Sequence, residues 1–205
     1  LEFEVGPAVL IPRRESELLI GVARGRLRGR VTPGRPARVF ELGTGSGNLA
    51  VALAKHAPGV ELLASDRSPA ALELARRNAQ RHGTPVRFLE GDGFAVLGPQ
   101  EAPFDLLLSN PPYIDPAARA SLAPEVREHE PAMALFAPQG QPDHWIWEIV
   151  SAGLPRLLPG GTALVELGFD QAARLAPQLA ERGLAARFHR DLEGHARVLE
   201  LQVPE

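Results

Sequence analysis

Short, nearly continuous apolar runs alternate along this chain with longer stretches whose apolar positions recur at helical spacing. Ala37–Leu42, Val60–Ser65, Val86–Glu90, Phe104–Ser109 and Thr162–Leu167 read as buried strands. Asn48–His56, Pro69–His82, Trp145–Leu158 and Gln171–Arg182 read as helices between them. Leu18, Leu19, Val22, Ala23 and Leu27 mark an earlier helix that starts near Arg14 or Ser16, and Arg24–Pro36 reads as a solvated connector. Glu2–Ile11 holds two short apolar pieces around Gly6-Pro7, expected as a small hairpin or a lead-in strand. Asp115–Pro142 is rich in Pro and Ala with weak periodicity, and is expected as a long irregular loop that faces the substrate.

The alternation of strands and helices implies a mostly parallel sheet with helices on both faces. The last two runs, Ala185–Arg190 and Arg197–Val203, have only Asp191–Ala196 between them. No crossover helix fits there, so the pair should be antiparallel. An α/β fold of this kind, a Rossmann-like parallel sheet ending in an antiparallel C-terminal hairpin, is the class I methyltransferase architecture rather than that of a standard dehydrogenase domain.

Composition narrows the chemistry. The chain has 205 residues, 44% apolar and 23% charged, enough for one large domain with a sizeable core. No apolar run approaches a membrane span and no signal peptide opens the chain, so a cytoplasmic protein without a membrane partner is expected. Cysteine is absent, which excludes disulfides and thiolate chemistry, and the histidines lack ligand spacing, so no metal is expected. The net charge of −3 weighs against a nucleic-acid partner.

Gly43-Thr44-Gly45-Ser46-Gly47 stands between a strand and a helix. A three-glycine turn serves dinucleotide, nucleotide and S-adenosylmethionine sites alike, but the third glycine comes one residue earlier than in GxGxxG. Two acids sharpen the choice. Glu41, two residues before the loop, is placed to attract the ammonium of a methionine-like tail. Asp66 closes the second strand, where an acid accepts bonds from both ribose hydroxyls. Asp92, closing the third strand, is a candidate for the adenine amine. A phosphate ligand would need basic groups here, and a P-loop lysine is missing.

Ser109-Asn110-Pro111-Pro112-Tyr113 ends the fourth strand. Asn110 and Pro111 each precede a proline, which holds them out of the helical region. Neither proline has an N–H. The result is a stiff turn of acceptors, the Asn110 side-chain oxygen and the Pro111 carbonyl, beside the flat ring of Tyr113. Two fixed acceptors orient a planar –NH2 group and stabilise the positive charge that builds on nitrogen as a methyl arrives. The ring of Tyr113 would pack on the target plane. Three readings remain open at this level: an amide methyltransferase, an adenine-N6 methyltransferase of DNA or RNA using the same turn, and a non-enzymatic cofactor-binding module.

The sequence resembles the HemK-type protein-(glutamine-N5) methyltransferases from about Val9 to Val203. The resemblance is carried by Leu10-Ile11-Pro12-Arg13 with Glu15 and Glu17, Glu41 to Gly47, Ala75 to Ala79 and Ser109 to Ile114. It continues through Glu130-Pro131 with Ala134-Leu135, Glu166-Leu167-Gly168, Gln171, and Arg190-Asp191-Leu192 with Gly194 and Arg197. It implies S-adenosylmethionine as cofactor and peptide chain release factors as partners, with a Gly-Gly-Gln loop glutamine as target. It implies that Gly43 to Gly47, Asp66 and Asn110 contact the cofactor and that Asn110, Pro111, Pro112 and Tyr113 hold the glutamine. Arg14 and Ser16 replace the usual Pro and Thr, and Ala196 stands where an acid is common. Gly93 replaces an aromatic residue beside the adenine, with Phe94 the expected substitute. Family members carry a small helical N-terminal docking domain that nothing here matches. Residues 1–30 are therefore expected as the remnant after such a domain, residues 31–205 as the catalytic domain, and the chain as a monomer.

Overall fold

The computed structural model describes residues 1–13 and 15–205; Arg14, expected near the first helix, lies outside the described residues. The expected apolar runs form β1 (Ala37–Leu42), β2 (Val60–Asp66), β3 (Val86–Glu90) and β4 (Phe104–Ser109), followed by β5 (Leu157–Glu166), β6 (Ala186–Arg190) and β7 (Ala196–Gln202). They make one seven-stranded sheet ordered β3-β2-β1-β4-β5-β7-β6. The first five strands pair in parallel, and β7 lies antiparallel between β5 and β6. The hairpin was legible in the sequence, because a six-residue link admits no crossover; the second pairing of β7, with β5, was not.

Side chains alternate across the sheet as the strand period requires. Phe40, Leu107, Ala163, Val165 and Leu199 face one core with Ile146, Ile149, Leu175 and Leu179. Val39, Leu106, Leu108, Leu164 and Val198 face the other, with Leu19, Ala23 and Leu27 of α1 (Glu15–Leu27) and Leu49, Ala50 and Leu53 of α2 (Asn48–His56). Burying each large apolar side chain contributes about 1.5–3 kcal/mol. Thus α1 packs in the same core as the strands around the site.

α3 (Pro69–His82) is capped by Ser68, whose hydroxyl accepts from the Ala71 N–H at 3.2 Å, and ends at Gly83 in the left-handed region. Among the described residues, the segment before α1 contains no strand. Val9 N–H closes a turn onto the Gly6 carbonyl, but the chain then lies along α3 rather than on itself. Asn78 explains why: its side chain accepts from Glu4 N–H at 2.8 Å and donates to Glu4 O at 2.9 Å. Those bonds use the backbone groups that a hairpin would need.

Two further expectations change. The stretch 115–142 is built of short helical pieces, a 3-10 turn at Pro116–Ser121, α4 (Pro124–His129) and α5 (Ala132–Leu135). Prolines start all three, pre-setting φ while breaking any longer periodicity. The helix expected over 145–158 is α6 (His144–Glu148) continued by a π turn to Gly153 and a 3-10 turn at Leu154–Arg156. Pro155 ends it, and Leu157 already pairs with Phe104, so β5 starts before the Pro159-Gly160-Gly161 irregularity. The last helix is α7 (Gln171–Glu181).

The strand order reverses between β1 and β4, with β2 and β3 lying to one side and β5, β7 and β6 to the other. Ligand crevices in open α/β sheets lie at such a switch point, outside the carboxyl ends of the strands. Leu42 and Ser109 are register partners, and the Ser109 hydroxyl donates to the Leu42 carbonyl at 2.9 Å. The glycine loop and the Asn-Pro-Pro turn therefore leave the sheet side by side.

Candidate active site

A cavity of about 410 Å³ opens at this switch point. Its wall includes Glu41, the loop from Gly43 to Ser46, Asp66, Asp92, Gly93 and the turn residues Asn110, Pro111 and Pro112. The loop is held by backbone: Gly43 and Thr44 N–H both donate to the Ser65 carbonyl, at 2.9 and 2.8 Å. Gly45 (φ 54°) donates its N–H to Asp66 Oδ2 at 2.8 Å. Gly47 (φ 77°) allows α3 to approach, since a Cβ there would sit 3.1 Å from Ala75 Cβ.

The acids divide the work. Asp66 Oδ1 accepts from Ser68 N–H at 2.9 Å, so its two oxygens brace both the loop and the α3 cap. Each keeps a second lone pair for a hydroxyl-bearing ligand. Glu41 is fully buried. Its Oε2 accepts from the Thr44 hydroxyl at 2.9 Å, while Oε1 has no partner among the described residues. Burial pushes its pKa up to about 8. A buried carboxyl with one orphaned oxygen on a cavity wall fits a cationic ligand group, which would restore the ionised form. Asp92 is an exposed rim acid, 4.0 Å from the Arg67 guanidinium.

Two expected residues lie elsewhere. Phe94 is buried in the core against Phe40, with ring centroids 5.9 Å apart, and a Cβ on Gly153 would meet its ring at 2.7 Å. Its ring does not line the cavity, so stacking on an adenine is corrected: the apolar ring is claimed by the core beneath. Tyr113 does not line the cavity either. Its ring lies on Gly168, where a Cβ would meet Cδ2 at 2.9 Å. The ring seats the turn from behind instead of packing on the target plane.

Other residues were not assigned a role from sequence. Trp145 and, from the segment before α1, Val9, Leu10 and Arg13 wall the cavity. Arg13 pairs with the buried Glu130, joining that segment to the stretch after the turn. Glu166 ends β5 and is buried beside Asn110. It accepts from the Ser16 hydroxyl at 2.9 Å. Burial, with Glu15 adding to it, pushes Glu166 up to about 7. Gln171 Oε1 accepts from Gly168 N–H at 2.8 Å, and its amide donates to Asp143 Oδ1 at 2.9 Å, fixing the strand end that backs Tyr113. For Leu10, Arg13, Glu130, Glu166 and Gln171 the one signal was their presence in the family motifs; Trp145 carried none.

The geometry combines a pocket for a cationic, hydroxyl-bearing ligand with a turn of acceptors beside it. A family model described as methyltransferase small domain matches residues 27–133. The chain is 42% identical over 188 residues to the release factor glutamine methyltransferase of Geobacter sulfurreducens, covering 92% of this chain and 63% of that protein. It is 42% identical to that of Bordetella pertussis, covering 96% of this chain and 70% of that one. The chain thus spans roughly two thirds of the length of these relatives, and slightly less of the first. Solved structures share the fold at low identity. One is a methyltransferase from Pyrococcus furiosus, with TM-score 0.67 at 18% identity, covering 100% of this chain and 90% of that one. Another is the hMettl16 catalytic domain in complex with MAT2A 3'UTR hairpin 6, with TM-score 0.73 at 16% identity, covering 100% and 75%. By its family match and its identity to these relatives, the chain belongs to the methyltransferase small domain family and, within it, to the release factor glutamine methyltransferases.

Proposed function

We propose that this chain transfers a methyl group from S-adenosylmethionine to the side-chain amide nitrogen of a glutamine in the Gly-Gly-Gln loop of a peptide chain release factor, in the cytoplasm. The observation that carries the reading is the placement of Asn110 and Pro111 on the wall of the cavity that also holds Glu41, the glycine loop and Asp66. Bound there, S-adenosylmethionine supplies an electrophilic methyl on a sulfonium sulfur. Glu41 would take its ammonium and Asp66 its ribose hydroxyls, with Asp92 and Gly93 at the adenine end.

The chain's part in the chemistry is to make a poor nucleophile attack. An amide lone pair is delocalised. Asn110 Oδ1 and the Pro111 carbonyl each accept one N–H of the target, fix its nitrogen, and bind more strongly as charge builds on it. The Pro111 carbonyl accepts no other bond among the described residues. Proximity supplies much of the remaining acceleration. The methylated nitrogen becomes acidic and gives its proton to water, so no strong base is needed. The test is mass spectrometry of a release factor incubated with this chain and the cofactor. A mass gain of one methyl at the glutamine is expected, and transfer to adenine in an oligonucleotide instead would overturn the reading.

A further inference from the structure

The proposed cofactor carries an adenine, a flat apolar ring with a polar edge. A site for it needs an apolar platform as well as a few hydrogen-bonding groups. The end of β3 offers no platform. Gly93 lines the cavity without a side chain, and a Cβ there would stand in open space. Phe94, one residue on, is turned into the core. Among the described residues, the aromatic side chains on the cavity wall are Phe136 and Trp145.

We propose that Trp145, at the start of α6, is the platform on which the adenine ring of the cofactor stacks. The inference rests on the reading of this cavity as an S-adenosylmethionine site. The two aromatics belong to different parts of it. Phe136 goes with the turn: its backbone bridges Ile114, and Ala137 N–H donates to the Ile114 carbonyl at 2.9 Å. The Arg119 guanidinium also lies over the Phe136 ring, 5.7 Å from its centroid. Trp145 goes with the end of β3. It packs against the core cluster that holds Phe94, Leu107 and Leu42, and Leu42 itself lines the cavity. The helical run that begins with α6 reaches Phe94 at Gly153, where a Cβ would meet the ring at 2.7 Å. Eight helical residues rise about 12 Å, so the run climbs from Phe94 to the cavity and brings Trp145 into the wall on the sheet face that Phe94 occupies.

A platform binds best when it is already held still, because a fixed ring loses little entropy when the ligand arrives. The start of α6 is locked in that way. The buried Asp143 accepts from the Arg174 guanidinium at 2.7 and 2.9 Å and from the Gln171 amide at 2.9 Å. Its carbonyl accepts from the N–H groups of Ile146 and Trp147, at 3.0 and 3.2 Å. His144 meets the indole edge to face, with ring centroids 5.1 Å apart. Trp145 is thus pinned by α7 and by its own first turn. Stacking on an aromatic ring is tolerant of the base stacked, so Trp145 supplies affinity and leaves the choice of base to the polar groups at the rim.

The chain has two tryptophans, which makes the test direct. Trp147 does not line the cavity and lies under the Arg182 guanidinium, 4.4 Å from its ring centroid. In Trp147→Phe the tryptophan emission comes from Trp145, and it should be quenched as S-adenosylhomocysteine is titrated in, with the midpoint that calorimetry gives. In Trp145→Phe the remaining emission should not respond, while affinity is largely kept. Trp145→Ala should weaken binding roughly 5- to 150-fold, the worth of stacking one base on an aromatic side chain. Trp145→Leu keeps apolar bulk for the core but has no ring, and should weaken binding in the same direction with a ligand-free thermal midpoint close to that of Trp145→Phe. A merely structural residue would move the midpoint and not the affinity. Trp145 emission that ignores saturating S-adenosylhomocysteine, or that responds only once a Gly-Gly-Gln peptide is added, overturns the proposal, and so does a Leu variant that binds as tightly as the wild type. If the wild type binds no S-adenosylhomocysteine, the cofactor reading and the platform fail together; binding and quenching without methyl transfer to a release factor would sink the functional reading alone.

Discussion

Glu41 should make cofactor binding proton-linked. The folded chain holds this carboxyl neutral up to about pH 8, because burial outweighs the bond from Thr44. An ammonium on its orphaned Oε1 requires the ionised form. At pH 6 a group with that pKa is ionised about 1% of the time and at pH 8 about half, so apparent affinity should tighten by up to about 50-fold between them. Free-protein stability runs the other way. The folded chain keeps a proton that the unfolded chain releases above about 4.5, so this group's contribution is complete below 4.5 and is lost as pH rises to about 8. The loss is on the order of 5 kcal/mol across that window, and Glu166 adds to it with the same sign between 4.5 and about 7. Cofactor should offset the loss increasingly as pH rises. Calorimetry at pH 6, 7 and 8 in buffers of different ionisation enthalpy measures both affinity and proton release. Glu41→Gln should bind weakly and flatten the profile. Affinity independent of pH, with no proton released below pH 8, would refute the pairing.

Asn110→Ala should lower methyl transfer by about 100- to 1,000-fold, the scale of one lost transition-state contact, with cofactor affinity largely kept; equal loss of both in calorimetry would make Asn110 chiefly a cofactor ligand. Gly47→Ala and Gly83→Ala share backbone strain at φ 77° and 62°, but only the first brings a Cβ to 3.1 Å from Ala75. Urea unfolding should show Gly47→Ala the more destabilising by about 1–3 kcal/mol, the cost of overpacking, and equal losses would count against tight loop–helix packing. Arg13→Ala strands the buried Glu130 carboxylate, so it should destabilise more than Arg13→Ala combined with Glu130→Gln; a double variant no better than the single would show that the pair carries no charge coupling.

The strands and the two ligand loops were legible because their signals are local. A β-branched or Leu-rich run, a glycine at the turn and a proline after Asn110 each constrain backbone within a few residues. Phe94 and Tyr113 were misplaced because an aromatic beside a loop can turn either way. Only tertiary neighbours decide, here Phe40 with Gly153 for one and Gly168 for the other. The fasteners were silent for a related reason. Ser16 and Glu166 are 150 positions apart, Arg13 and Glu130 are 117, and Glu4 and Asn78 are 74. No periodicity connects such pairs, and each residue alone reads as an ordinary surface polar group. Each ties a helix start or the leading segment to a distant element around the switch point. Reacting groups must be held to well under 1 Å for proximity to count. A turn that reads only an –NH2 group therefore depends on buried polar side chains brought from across the chain. Arg13, Glu130 and Glu166 fall inside the motifs that carry the family resemblance and Ser16 lies beside one, which is what positioning rather than chemistry would demand of them.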